Sequence, residues 1–232
     1  MAKQVALVIL LVIQCHPDKN AKSIYKSFIP MSRTLRFLIV ILYILVASYG
    51  CISSWQYYDE RFFLYFTNLG NLYCLALMVN ELVHLVRRKS LSLPLLQWEF
   101  GGLISILVIG VVYNLLLGDP TSAGYWANKP SICLHLITPI LYALYFFGTR
   151  PVSKVAVGGI QCSILLPYLY IAFIYTRHMI TGDQWFPYFF LDINRIGWLG
   201  AFFWIIALTA IFVLTGFIFI YLGKHKARKS KH

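Results

Sequence analysis

Phe62-Phe63-Leu64-Tyr65-Phe66-Thr67-Asn68-Leu69-Gly70-Asn71-Leu72 opens an apolar run that continues to Val86. At 1.5 Å per helical residue the run is long enough to cross about 30 Å of hydrocarbon. It nevertheless carries Thr67, Asn68 and Asn71 in its opening turns. Thr67 and Asn71 are four apart and share a helix face. Polar side chains at membrane depth are costly without partners, so they face the interior of a bundle. The run therefore predicts a membrane span packed against other spans.

Five more runs of similar length follow the same logic: Leu35–Ser53, Phe100–Gly118, Ser131–Thr149, Val155–Thr176 and Trp198–Leu222. Only 12% of the 232 residues are charged and 59% are hydrophobic, which excludes an ordinary soluble domain, where about a quarter are charged. The expected fold is all-α, a polytopic six-helix transmembrane bundle. It comprises a basic and apolar N-terminal extension over 1–34, a membrane domain over 35–223 and a basic tail over 224–232. Val5–Ile13 is too short to span. Residues 1–15 look like a signal peptide but have Gln14 before Cys15 in place of small cleavage-site residues. His16-Pro17-Asp18 follows an apolar run, not the basic amphipathic helix that a J-domain loop needs, and reads as a chance match. Residues 1–30 are expected to be a dispensable extension ahead of Met31.

The net charge of +12 is explained by where the cations fall. Lys3, Lys19, Lys22, Lys26, Arg33 and Arg36 precede the first run. Arg87, Arg88 and Lys89 follow the second, Arg150 and Lys154 the fourth, and five more the sixth. The opposite side holds only Arg61, Lys129, Arg177 and Arg195. By the positive-inside rule both termini are cytoplasmic, with 55–61, 119–130 and 177–197 outside. The charge is then a topology signal and a contact with anionic membrane lipids, and nucleic acid is not expected as a partner. Protein partners are not legible. The five cysteines lack metal or redox spacing, so neither a metal nor another cofactor is expected. Cys51 and Cys133 stand near matching ends of their runs, where a disulfide can form, but scattered helix cysteines are the favoured reading.

On this topology Thr67 lies about 7 Å below Phe62, His135 about 6 Å below Ser131 and Asn114 about 6 Å below Gly118. Thr67, Asn68, Asn71, Asn114 and His135 form one polar layer in the outer leaflet. Pro139 lacks an N–H, so it frees the carbonyl of His135 and bends that span. A threonine hydroxyl beside a neutral histidine is a nucleophile with its base, and amides can donate to an oxyanion. The same residues also serve as structural glue between membrane helices. Soluble hydrolase signatures such as GxSxG and HExxH are absent from the sequence. Glu81 and His84, three apart near the cytoplasmic interface, are a second candidate site, where such a pair can reach headgroups. The segment 182–192 is aromatic and is expected to lie in the interface.

Three short motifs, Tyr65-Phe66-Thr67 with Asn71-Leu72, Leu134-His135 with Pro139, and Trp185-Phe186-Pro187-Tyr188 through Asp192, stand in an order that resembles the small bacterial Pr-six-Pr membrane proteins. That group is similar to the androgen-induced and androgen-dependent six-span threonine hydrolases of fatty acid esters of hydroxy fatty acids. The resemblance covers roughly 35–222. It implies Thr67 as nucleophile, His135 as base, a lipid ester as substrate and a bacterial plasma membrane as location. Asn68, Asn71 and Asn114 come from depth alone. The alternative is a non-enzymatic membrane protein, a small transporter or assembly partner, whose polar layer is structural.

Overall fold

The computed structural model describes residues 31–89 and 91–229. The signal-like segment and His16-Pro17-Asp18 lie outside the described residues. Among those residues the architecture is all-helical, and six helical stretches are long and apolar enough to cross a membrane. Helix α1 is Arg33–Tyr58, opened by the Ser32 hydroxyl, which accepts from the Leu35 N–H at 3.3 Å. A 3₁₀ turn, Asp59–Leu64, leads to α2, Phe66–Val86. Helix α3, Leu93–Val112, starts on a Ser92 cap and runs on into a π-helical turn, Tyr113–Leu117. The fourth stretch is composite: Lys129–Ile132, a π-helical turn over Cys133–Ile137, then α4, Thr138–Thr149. Helix α5 is Val157–Thr181, closed by Gly182 at φ 67°, and α6 is Ile193–Lys229, kinked at Gly197 at φ 70°. Gly182 holds the left-handed helical conformation, which costs other residues about 1–2 kcal/mol, and Gly197 an extended positive-φ conformation that is essentially confined to glycine.

Burial ranks the helices. The most apolar window of α3 is 56% buried and that of α6 only 17%, so α3 is the centre of the bundle and α6 its rim. Phe100, Leu103, Ile104 and Ile109 of α3 meet Leu77 and Met78 of α2 and Tyr142 and Phe146 of α4 in one core. Gly101 permits the α3–α5 contact: a Cβ there would stand 2.9 Å from the Cys162 Cβ. This is the close approach that small residues give membrane helices.

Three expectations change. The first two runs meet differently from the sequence reading: α1 continues to Tyr58, and Asp59 (φ 49°) breaks it. The 3₁₀ turn folds Phe62 and Leu64 inward, and α2 starts only at Phe66. Thr67 is thus in the first turn of α2, and not about 7 Å inside a helix that begins at Phe62. The segment 182–192 folds onto the bundle. Phe186, Tyr188, Phe190 and Leu191 are buried against Leu64, Tyr170 and Ile174, and the Tyr170 hydroxyl donates to the Leu64 carbonyl at 2.9 Å. Alternate residues of the segment point inward, where aromatic surface packs better than in open loop. Finally, Glu81 does not reach for headgroups. It is 1% exposed and pairs with Arg36 and with Arg150, whose Nη2 is 2.6 Å away. Arg150, read as a loop cation, is fully buried, because it also pairs with Glu99 through Nε and through Nη2 at 2.6 Å. Cys51, Cys74 and Cys133 are free thiols, so no disulfide joins Cys51 to Cys133.

Candidate functional site

The π-helical turn and Pro139 together decide the chemistry of the fourth stretch. In the turn the Thr138 N–H bonds the Cys133 carbonyl, five residues back, and so bypasses Leu134. Proline at 139 has no N–H for His135. Two consecutive carbonyls, of Leu134 and His135, are left for other helices. Asn71 of α2 donates through Nδ2 to Leu134 at 3.1 Å, and Asn114 beyond α3 donates to His135 at 3.0 Å. Each amide also bonds a carbonyl of its own helix, Thr67 at 2.9 Å and Gly110 at 2.7 Å. Thr138, not singled out from the sequence, completes the set by donating to Asn71 Oδ1 at 2.8 Å. Tyr125 donates to Asn114 Oδ1. Both amide hydrogens of Asn71 and of Asn114 are therefore engaged, and neither residue presents a donor for an oxyanion. Asn68 ties α1 to the 3₁₀ turn: its Oδ1 accepts from Ser54 at 3.0 Å and its Nδ2 donates to the Phe62 carbonyl at 3.0 Å.

His135 is buried, at 7% exposure, and its ring lies flat on Tyr113 at 3.6 Å between centroids. Its Nδ1 is 2.9 Å from the Ser131 carbonyl, which can only accept, so Nδ1 carries the proton. The Nε2 lone pair is left free, and that atom has no partner. This is the tautomer a general base requires.

Thr67 stands elsewhere on the same layer. Its N–H donates to the Tyr188 hydroxyl at 3.2 Å, and its side chain lines a cavity with about 680 Å³ of open space. The other walls are apolar or aromatic: Val108 and Ile109 of α3, Ile171 of α5, Leu208 of α6 and Phe190 of the buried segment. Burial pushes the Tyr188 phenol up to about 12, against hydrogen bonds with Thr67 that pull it down, so it stays a neutral hydroxyl. The arrangement brings Thr67, Asn71 and the residue before His135 together through the Asn71 amide. It does not join Thr67 to His135 by a hydrogen bond, and His135 does not line the cavity. Tyr188 was the missed neighbour. The only sequence signal for it was the every-second-residue aromatic pattern of Phe186, Tyr188 and Phe190.

Comparison of the chain with protein-family models, with curated proteins and with solved structures found no match.

Proposed function

We propose that the chain is a multi-pass cell-membrane protein that hydrolyses fatty acyl esters of lipids, with Thr67 as nucleophile and His135 as base. The observation that carries this reading is the place of Thr67. It lines a mainly apolar cavity beside the Tyr188 hydroxyl, and the histidine on the adjoining stretch keeps an unpaired Nε2. The reaction needs Thr67 Oγ1 within about 2.6–3.2 Å of Nε2. That contact is not made in this structure. Catalytic contacts commonly tighten in the substrate complex, and the reading requires that here.

The bonds balance as follows. Oγ1 bonds to the ester carbonyl carbon while its proton passes to Nε2. The imidazolium returns that proton to the departing alkoxide as the C–O bond breaks. Water, deprotonated by the same histidine, then releases the acid from the acyl-threonine. With the asparagine amides engaged and the Thr67 N–H given to Tyr188, the donor left for the oxyanion beside Thr67 is the Tyr188 hydroxyl, which accepts from that N–H and keeps its own proton to donate. The positive-inside bias places this end of the bundle in the outer leaflet and both termini in the cytoplasm.

One observation favours the non-enzymatic reading, with the polar layer as structure: Asn71 and Asn114 repair carbonyls freed by the helix distortions. A lipid fluorophosphonate probe separates the two. On the hydrolase reading it labels the parent chain at Thr67, and both Thr67→Ala and His135→Ala lose the label. A parent chain that is neither labelled nor active on acyl esters makes the layer structural.

A further inference from the structure

We infer that the cavity beside Thr67 is a binding site for one lipid acyl chain, entered sideways from the bilayer between α5 and α6. The inference rests on the proposed reading only for what happens at Thr67; the binding does not require hydrolysis.

The cavity encloses about 680 Å³ of space, part of it open to the exterior, and like most ligand sites it is concave and lined mainly by apolar and aromatic side chains. Apart from the Tyr170 hydroxyl, which is given to the Leu64 carbonyl, its polar groups form two pairs. Thr67 and Tyr188 make one, and Tyr168 and Thr209 make the other. An apolar interior of this kind does not hold water, which needs two to four polar partners. A helix, about 10–12 Å across, is too wide an occupant for a space walled by four helices and the folded-in segment. A hydrocarbon chain with an ester at one end matches both the apolar wall and the polar terminus.

The entrance follows from α5 and α6. Pro167 lines the cavity and interrupts the backbone ladder of α5, which leaves the Ser163 carbonyl to the Ser105 hydroxyl of α3 at 3.5 Å. The next residue, Tyr168, is 47% exposed and reaches Thr209 of α6 at 3.1 Å. Thr209 already donates to the Ile205 carbonyl at 2.7 Å, so Tyr168 is the donor. Among the described residues this is the hydrogen bond that joins α5 to α6. The rest of that contact is apolar packing, and such packing has no hydrophobic drive against lipid tails. Helix α6 is also the least buried helix, with its kink at Gly197. A single neutral hydrogen bond at a lipid-exposed seam is a clasp that an entering chain can part.

The test uses the full chain in nanodiscs containing a palmitoyl phosphatidylcholine that carries a diazirine on its acyl chain. After irradiation, adducts are mapped by mass spectrometry. Adducts are expected at Ile109, which lines the cavity but is 2% exposed, as well as at the outward Leu38 and Leu45. Leu208→Trp fills the cavity from α6 and should reduce the Ile109 adduct to background while the Leu38 adduct persists, which also reports that the chain is folded. Thr209→Trp, blocking the seam, should do the same. Adducts confined to outward residues, or an Ile109 adduct that survives both tryptophans, overturn the inference. Thr67→Ala should keep the Ile109 adduct. If Thr67→Ala also keeps full ester hydrolysis, the hydrolase reading fails while the acyl site stands.

Discussion

The backbone N–H of Thr67 and the phenol of Tyr188, 121 residues apart in sequence, meet at 3.2 Å and close the open end of α2. Helix starts leave unpaired N–H groups, and Tyr65 at the cap position supplies no side-chain acceptor. The cap therefore comes from a distant segment. Tyr188→Phe keeps the ring stacked on Phe190, 5.0 Å away, and removes only the oxygen. An unsatisfied buried N–H costs about 1–3 kcal/mol. Thermal unfolding in detergent should show that loss, and ester turnover should fall because the nucleophile's turn is loosened. A variant as stable and as active as the parent shows that the hydrogen bond holds nothing.

Arg150 is the centre of the second polar cluster. Its guanidinium faces Glu81 and Glu99, both buried, and its charge lies over the Tyr145 ring at 5.0 Å. Removing one member of a buried ionic set typically costs about 3–5 kcal/mol, because the partners keep their desolvation without their counter-charge. Arg150→Ala is expected to lose that much in denaturation. Arg36→Ala should cost less, since Arg36 is 20% exposed and Glu81 retains Arg150.

Some of this was legible and some was not, for reasons that differ by residue. Run length alone gave six helices long and apolar enough to cross a membrane, because apolar stretches near 20 residues have few other uses. Pro139 gave the free carbonyl of His135, because the missing N–H is a covalent fact. The starting point of α2 was not legible. It depends on Asp59 taking a positive φ and on Phe62 finding Trp55 and Leu134, choices made by tertiary contact. The π-helical turns carry no composition signal, so the partners of Asn71 and Asn114 could not be named. Arg150 read as a loop charge because its carboxylates lie 51 and 69 residues away.

Gly102 of α3 and Gly124 of the short helix Ala123–Ala127 give a paired measurement. A Cβ on Gly102 would stand 2.7 Å from the Tyr142 hydroxyl and 2.8 Å from Leu77 Cδ1, both fully buried. Overpacking of this kind costs about 1–3 kcal/mol. A Cβ on Gly124 meets nothing within 4 Å. Gly102→Ala should lower the unfolding midpoint, and Gly124→Ala should leave it within error of the parent. Equal effects would show that the α3–α4 contact is looser than described.

The folded-in segment has an acid-sensitive tether. The Trp185 N–H, donating at 2.9 Å, and then the Arg177 guanidinium hold the Asp183 carboxyl below the usual carboxylate range. A depressed pKa contributes stability that is present above the unfolded value, about 3.9, and lost as pH falls through the folded one. The gap in unfolding midpoint between the parent and Asp183→Asn should hold steady near neutrality and close below pH 4. A gap that persists in acid removes Asp183 from the tether.

Thr67 and His135 provide the decisive comparison, because the two readings of the polar layer give opposite results there. If they act as nucleophile and base, each alanine variant removes the acylation step, and general-base assistance alone is typically worth about 10²–10⁴ in rate. Residues that act as one unit are not additive, so the double variant should be little slower than either single one. Thr67→Ser keeps the hydroxyl and should retain part of the rate. Stability separates chemistry from glue. Thr67 lines the cavity, so its replacement by alanine should disturb unfolding less than replacement of Asn71, whose amide joins two helices, whereas His135→Ala also loses the Nδ1 bond to Ser131 and the stack on Tyr113. Ester hydrolysis and unfolding in detergent are measured on the same preparations. Full activity in both single variants, or independent multiplicative losses in the double one, would take Thr67 and His135 out of a shared catalytic step.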